Sequence, residues 1–200
     1  MKTIIIITLF LNMFSFVRNT FKLQSIAENE YQSLLNQRID ILISKSQPIN
    51  EENEYLNFPL EKNGLLKLKN DTAQKYIADY LLFEYLGFLD IFNVYVLNVT
   101  TFSDNQIWFI NKANGNITKT LRFYNLSNRY IISYDLPECD RYDGIEIFCN
   151  RKKGLQKIDA FKPNWVIDDL FSLNEDIFIV KAHPINDSEK SLFFKIQIKE

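Results

Sequence analysis

Histidine occurs once in this chain, cysteine twice, and glycine and proline five times each. A lone imidazole, His183, excludes a histidine-rich metal centre, because such a site gathers several ring nitrogens around one ion. The few glycines exclude a phosphate-cradling loop, and no P-loop, dinucleotide fingerprint, G-x-S-x-G or H-E-x-x-H pattern is present. No cofactor and no metal are therefore expected. A basic excess is also missing. The formal charge is −2, and the densest cationic stretch is Arg151-Lys152-Lys153. Binding a phosphate backbone takes many clustered cations, so a nucleic-acid partner is not expected. Nor is there an apolar run long enough to cross a bilayer. The longest, residues 3–17, ends at Arg18 and falls short of the roughly 20 residues a spanning helix needs.

That run is informative in another way. Met1-Lys2 precedes Thr3-Ile4-Ile5-Ile6-Ile7-Thr8-Leu9-Phe10-Leu11 and continues apolar to Val17. A short cationic start before an apolar stretch is the layout of a secretory signal. Residues 1–25 read as a signal peptide, with processing near Gln24-Ser25 or Ser25-Ile26. No cysteine closes the run, so a lipid-modified terminus is not expected. The expected location is periplasmic or extracellular.

What the chain has in quantity is aromatic and β-branched side chains. Hydrophobic residues make up 46%, with 17 Phe and 10 Tyr. These side chains suit a half-buried pleated surface, and their density excludes a disordered chain. Residues 26–45 read as a helix, with Ala27, Tyr31, Leu34, Leu35, Arg38 and Leu42 at three- and four-residue spacing. Residues 46–63 are polar and acidic, and read as a linker in which Tyr55, Phe58 and Leu60 touch the core. From residue 64 to 200 the chain reads as one β-rich domain. Strands are expected at 65–69, 80–86, 94–99, 107–111, 117–120, 130–134, 145–149, 155–158, 165–168, 177–181 and 192–198, separated by Asn/Asp/Gly turns.

One segment repeats. Phe109-Ile110-Asn111-Lys112-Ala113-Asn114-Gly115 is echoed by Phe148-Cys149-Asn150-Arg151-Lys152-Lys153-Gly154, thirty-nine residues further on. A period near 40 residues with about four strands is that of a propeller blade. Three such units fit, fewer than the four to eight of closed propellers. The expected fold is a mainly β, antiparallel meander of blade-like units, arranged as a partial propeller or a sandwich, after one N-terminal helix.

Tyr85-Leu86-Gly87-Phe88, Asn93-Val94-Tyr95-Val96, Trp108-Phe109-Ile110-Asn111-Lys112 with Gly115, and Asp143-Gly144-Ile145-Glu146-Ile147 carry a resemblance. The chain resembles a set of uncharacterised exported bacterial proteins built on a propeller-like β repeat. Asn114 and Asp143 depart from the Thr and Asn of that pattern. The resemblance covers residues 80–160 and implies a fold but no catalytic residue.

Cys139 and Cys149 are a candidate disulfide in an oxidising compartment, worth roughly 2–3 kcal/mol for so short a loop. With Asp143-Gly144 as a two-residue turn, Cys139 faces Phe148 and the sulfurs point to opposite sides. Pairing then needs an odd-length loop, a bulge or an irregular segment. The same region is acidic. Asp135, Glu138, Asp140, Tyr142 and Asp143 form a candidate recognition loop, without the spacing of an EF-hand. His183 has Asp168, Asp169, Asp176 and Ser191 as its nearest candidate partners in sequence. Trp108 and Trp165 fall inside expected strands and read as packing residues.

The function expected from all this is an exported, non-catalytic binding protein, with a protein or glycan partner or self-association. A small envelope hydrolase using Asp or Glu with His183 is one alternative. An immunity or inhibitor protein, encoded beside its toxin, is another.

Overall fold

Two kinds of apolar pattern run through the strand segments. Val94-Tyr95-Val96-Leu97 and Tyr130-Ile131-Ile132 are unbroken, whereas Leu66-Lys67-Leu68-Lys69 alternates. Side chains on a strand point to opposite faces in turn, so an unbroken run must bury both faces and an alternating one buries a single face. The computed structural model describes residues 20–45, 47, 49–52, 54–62, 64–71, 80–136, 144–152 and 154–199. It places the two patterns accordingly, in the middle and at the end of a stack of sheets.

The described residues form four antiparallel sheets. Sheet I holds β2 (Asn50–Glu52), β3 (Tyr55–Leu60) and β4 (Gly64–Lys69). Sheet II holds β5 (Leu81–Leu89), β6 (Val94–Thr101), β7 (Asn105–Asn111) and β8 (Ile117–Thr120). Sheet III holds β9 (Phe123–Leu126), β10 (Tyr130–Tyr134), β11 (Ile145–Arg151) and β12 (Gly154–Phe161). Sheet IV is built from β13 (Trp165–Ser172), β14 (Ile177–Pro184) and β15 (Leu192–Ile198), and its outer strand comes from the other end of the chain, β1 (Phe21–Ser25).

The sheets pack in series. Leu56 and Phe58 of sheet I meet Tyr95, Leu97 and Trp108 of sheet II. Val94, Val96 and Phe109 on the other face of sheet II meet Ile131 and Phe148 of sheet III. Ile132, Ile145 and Ile147 on the far face of sheet III meet Trp165, Ile167 and Val180 of sheet IV. The last face of sheet IV is roofed by helix α1 (Glu28–Leu35), whose buried Tyr31 ring lies 4.9 Å from Phe193 and 5.9 Å from Phe171. Each apolar side chain moved fully from water into such a layer contributes about 1.5–3 kcal/mol, so the four interfaces, rather than strand propensity, hold the fan together.

The chain is therefore mainly β, a meander of blade-like sheets with one N-terminal helix. It has four sheets where the repeat count allowed three units. The segment expected as a polar linker supplies β2 and β3. Alternation in Leu56-Asn57-Phe58 was the sign of it, masked by the acidic residues around it.

The helix is shorter than its periodicity suggests. It ends at Leu35, and residues 39–44 run extended. Ile39 donates its N–H to Ser172 of β13 (2.9 Å), and Ser44 exchanges two backbone bonds with Phe88 of β5 (2.9 and 2.7 Å). Ile41 and Ile43 pack into the core between sheets II and III, while Leu42 is 85% exposed. Those two isoleucines follow a period of two, which competes with the helical reading of the same residues. The segment threads between the first strands of sheets II, III and IV, and lines a cavity of about 190 Å³ with Tyr124, Asn125 and Leu126 of β9.

Residues 20–25, expected at the end of the export segment, belong to sheet IV. Phe21 pairs with Ile198 and stacks on Phe161 at 4.5 Å, Lys199 donates its N–H to Thr20 (2.7 Å), and the Thr20 hydroxyl donates to Asp159. Residues 1–19 lie outside the described residues. No helix among the described residues is long and apolar enough to cross a membrane.

Candidate functional site

The two ends of the fan differ. Sheet IV is covered by α1, whereas among the described residues no helix or further sheet packs on the outer face of sheet I. Leu56, Phe58, Leu66 and Leu68 turn inward to sheet II. The alternate positions turn out: Glu52 lies opposite Tyr55, which lies opposite Lys69, and Asn50 lies opposite Asn57, which lies opposite Lys67. Tyr55 is 38% exposed and Leu65 49%.

Glu52, Tyr55, Asn57 and Lys67 line a cleft of about 400 Å³ on this face. Asn57 is the exception among its outward neighbours, at only 5% exposure. Its Nδ2 donates to the Asn50 carbonyl (3.0 Å), which fixes the amide orientation, since the reverse would set oxygen against oxygen. Its Oδ1 is left buried without a partner. An unsatisfied buried acceptor costs roughly 1–3 kcal/mol. Glu52 and Lys67 are exposed and form no ion pair with each other. The cleft thus offers an aromatic ring, a cation and an anion within two rows of one sheet, while the unfilled Asn57 acceptor has no surface open to it.

A second polar group sits on sheet IV. The register shifts between Ile167 and Asp169, leaving Asp168 as the extra residue of a bulge. Asp168 Oδ1 lies 2.7 Å from His183 Nδ1. Asp169 accepts a hydrogen bond from the Tyr31 hydroxyl (2.9 Å) and lies 3.6 Å from Arg38, which pairs more closely with Asp40 (2.7 Å). The bond to Asp40 is also the main reason that the Arg38 pKa is pushed further up. Burial first, and the bond to Asp169 second, hold the Tyr31 phenol far above its ordinary range. The His–Asp contact is the one pairing among the candidates around His183 that the fold creates. Among the described residues, no hydroxyl or thiol bonds to the other ring nitrogen, so the pair lacks the nucleophile of a triad.

The remaining sequence candidates sit elsewhere. Asp135 is buried, its N–H donating to the Gly144 carbonyl and its Oδ1 accepting the Leu136 N–H. Glu138, Asp140, Tyr142, Asp143 and Cys139 lie outside the described residues. Cys149 is buried in the core between sheets III and IV. A bridge to it would have to enter that core. Trp108 and Trp165 are buried packing residues. The two echoed turns come together around a cleft of about 350 Å³ that includes Asn111, Asn116 and Gln156, but the Asn111 side-chain carbonyl is already satisfied by the Ala113 N–H. Among the described residues, no three His, Cys, Asp or Glu side chains gather as a metal site.

Comparison with protein-family models, with curated proteins and with solved structures finds no match. The site must be read from its own chemistry. Nothing in the sequence pointed to Asn57. Its signal was a lone amide between Leu56 and Phe58, which reads as an ordinary outward residue until its burial is known.

The tyrosines make a prediction about the fold as a whole. Burial pushes Tyr85 and Tyr124 up to about 12, and also raises Tyr95 and Tyr134. The unfolded chain releases phenolic protons near 10. Between those values the unfolded state binds fewer protons than the native state, so stability falls as pH rises. The urea midpoint should hold steady to about pH 9 and drop from about pH 10 to 12. A midpoint that stays flat across that interval would contradict the assignment.

Proposed function

We propose that this chain is an exported, non-enzymatic β scaffold that binds a protein or glycan partner through the bare outer face of sheet I. The observation that carries the reading is the asymmetry of the stack: one terminal sheet is roofed by α1, and the other presents Tyr55, Leu65 and a polar cleft to solvent. A scaffold of serially packed sheets holds such a face rigid, which reduces the entropy lost on binding. The cationic start and apolar run of residues 2–17 support a periplasmic or extracellular location.

Capture from envelope extracts tests this. The wild-type chain should retain a partner that a Tyr55→Arg, Leu65→Asp variant with an unchanged denaturation midpoint does not. Repeated absence of a partner, or capture that ignores both substitutions, would sink the reading.

The Asp168–His183 contact favours a second reading, a hydrolase in which the carboxylate orients the imidazole as a general base. Ester and glycoside reporter substrates turned over by the wild type, with activity lost in both His183→Ala and Asp168→Asn, would replace the first reading with this one.

A further inference from the structure

We propose that Asn116 and Asn186 are acceptors for an N-linked glycan. The proposal rests on the export reading above and names a covalent modification that the chain receives on its way out.

The chain has five Asn-x-Ser/Thr tripeptides, beginning at Asn70, Asn98, Asn116, Asn125 and Asn186, where its content of Asn, Ser and Thr gives about two by chance. This tripeptide is the acceptor unit of N-glycosylation in exported chains. Transfer joins the asparagine Nδ2 to C1 of the first sugar. It breaks the bond from that carbon to the pyrophosphate of a lipid-linked oligosaccharide, and the lipid pyrophosphate leaves with the displaced amide proton. Transfer to an emerging chain precedes folding. The fold therefore decides which modified chains can reach the native state. An attached glycan is bulky and hydrated, so it needs an asparagine that is open to water and whose amide the fold does not use.

Asn186 meets both conditions. It lies in the turn between β14 and β15, which the Asp187 N–H closes on the Pro184 carbonyl (3.1 Å), and Asn186 and Ser188 are both exposed. Asn116 is exposed just before β8, the outer strand of sheet II. Among the described residues neither of the two amide side chains makes a hydrogen bond. Asn116 also borders the cleft of about 350 Å³ where the echoed turns meet, and no charged side chain lines that cleft. Asn111 and Gln156 there suit the hydroxyls of a neutral first sugar.

The other three asparagines differ. Asn125 lines the cavity beneath residues 39–43 with its Oδ1 buried, so a glycan on it would displace the thread between the sheets. Asn98, inside β6, donates its Nδ2 to Glu84 of β5 (3.1 Å). Asn70 accepts the Phe83 N–H (2.6 Å), and Thr72 of its tripeptide lies outside the described residues.

Peptide mapping by mass spectrometry tests this on the full chain recovered from its own source, before and after peptide N-glycosidase in heavy-oxygen water. That enzyme turns a glycosylated Asn into Asp and leaves the heavy oxygen as a mark. Asn116 and Asn186 should carry the mark, and the intact mass should fall by two glycans. Asn116→Gln and Asn186→Gln should each remove one glycan. Ser188→Ala should remove the Asn186 glycan although the acceptor amide remains, whereas Ser188→Thr should keep it, a pattern that surface packing does not produce. Recovery of both asparagines unmodified would overturn the proposal, as would a glycan on Asn125 in the folded chain. The location of an unmodified chain separates the two levels of the reading. Found outside the cytoplasm, it removes the glycan and leaves export standing. Confined to the cytoplasm, it removes both.

Discussion

Gly87→Ala should lower the stability of this protein by about 3–5 kcal/mol, more than a residue of that size ordinarily commands. Gly87 sits at the register shift of β5 with φ at +145°, a backbone region that L side chains rarely adopt. A Cβ there would overlap Ile43 Cγ2 and stand 2.8 Å from the Ser44 carbonyl oxygen. The first contact is with a side chain that can turn away. The second is with backbone, and relieving it means lifting residues 43 and 44 off β5. That movement breaks the paired bonds between Ser44 and Phe88, each worth about 0.5–1.5 kcal/mol net. It also withdraws Ile43 and Ile41 from the core between sheets II and III, at about 25 cal/mol for each Å² of apolar surface returned to water.

Gly64→Ala is the comparison that separates conformation from crowding. Its φ is +77°, but no atom lies within 4 Å of the place a methyl group would take, so it should cost only about 1–2 kcal/mol of backbone strain. Urea denaturation of both variants and of Gly87→Ala with Ile43→Ala reads the difference. The double variant should stay well below wild type, because the clash with Ser44 persists. Equal midpoints for the two glycine variants would show that the thread is not held against β5.

That thread also shows where sequence and fold part company. Apart from β9 (Phe123–Leu126), which was not expected, the strands from residue 64 onward were legible because each is short, rich in aromatic and β-branched residues, and bounded by turn residues. Even the burial of the middle sheets could be read from Val94-Tyr95-Val96-Leu97, which leaves no polar face. Residues 39–44 were not legible, because Ile39 and Ile43 fit a helical stripe and a strand alternation alike. What decides between them is a pair of distant partners, Ser172 and Phe88, that no local pattern reveals. The same holds for the polar groups. Asp168 and His183 are fifteen residues apart, and only the bulge in β13 turns one toward the other. Asn57 carries no motif, and its interest comes from a hydrogen bond it lacks. Candidates stand out in a sequence where residues of one kind crowd together, as in the acidic loop. The cleft on sheet I draws single residues of different kinds from three strands.

A chain that begins at Ile26 should be destabilised by about 2–4 kcal/mol and should associate on standing, whereas one that begins at Thr20 should behave as the intact fold. The shorter chain loses β1, and with it the ladder to β15 from Phe21↔Ile198 to Ser25↔Phe194. Most of β1 is exposed, so hydrophobic burial is not the main loss apart from the Phe21 ring on Phe161. The larger consequence is the edge. β15 would present a row of unpaired N–H and C=O groups along Phe194–Ile198, a template for another chain. Loss of the entropy cost of ordering β1 offsets part of the penalty, which keeps the expected loss below that for Gly87. If residues 1–17 direct export as proposed, intact mass of the secreted chain decides the related question of processing. Cleavage near Gln24 or Ser25 would cut through β1, so a mature chain with a complete sheet IV must start at or before Thr20. Recovery of a stable monomer starting at Ser25 or Ile26 would show that β15 tolerates a bare edge, and would return residues 20–25 to the export segment.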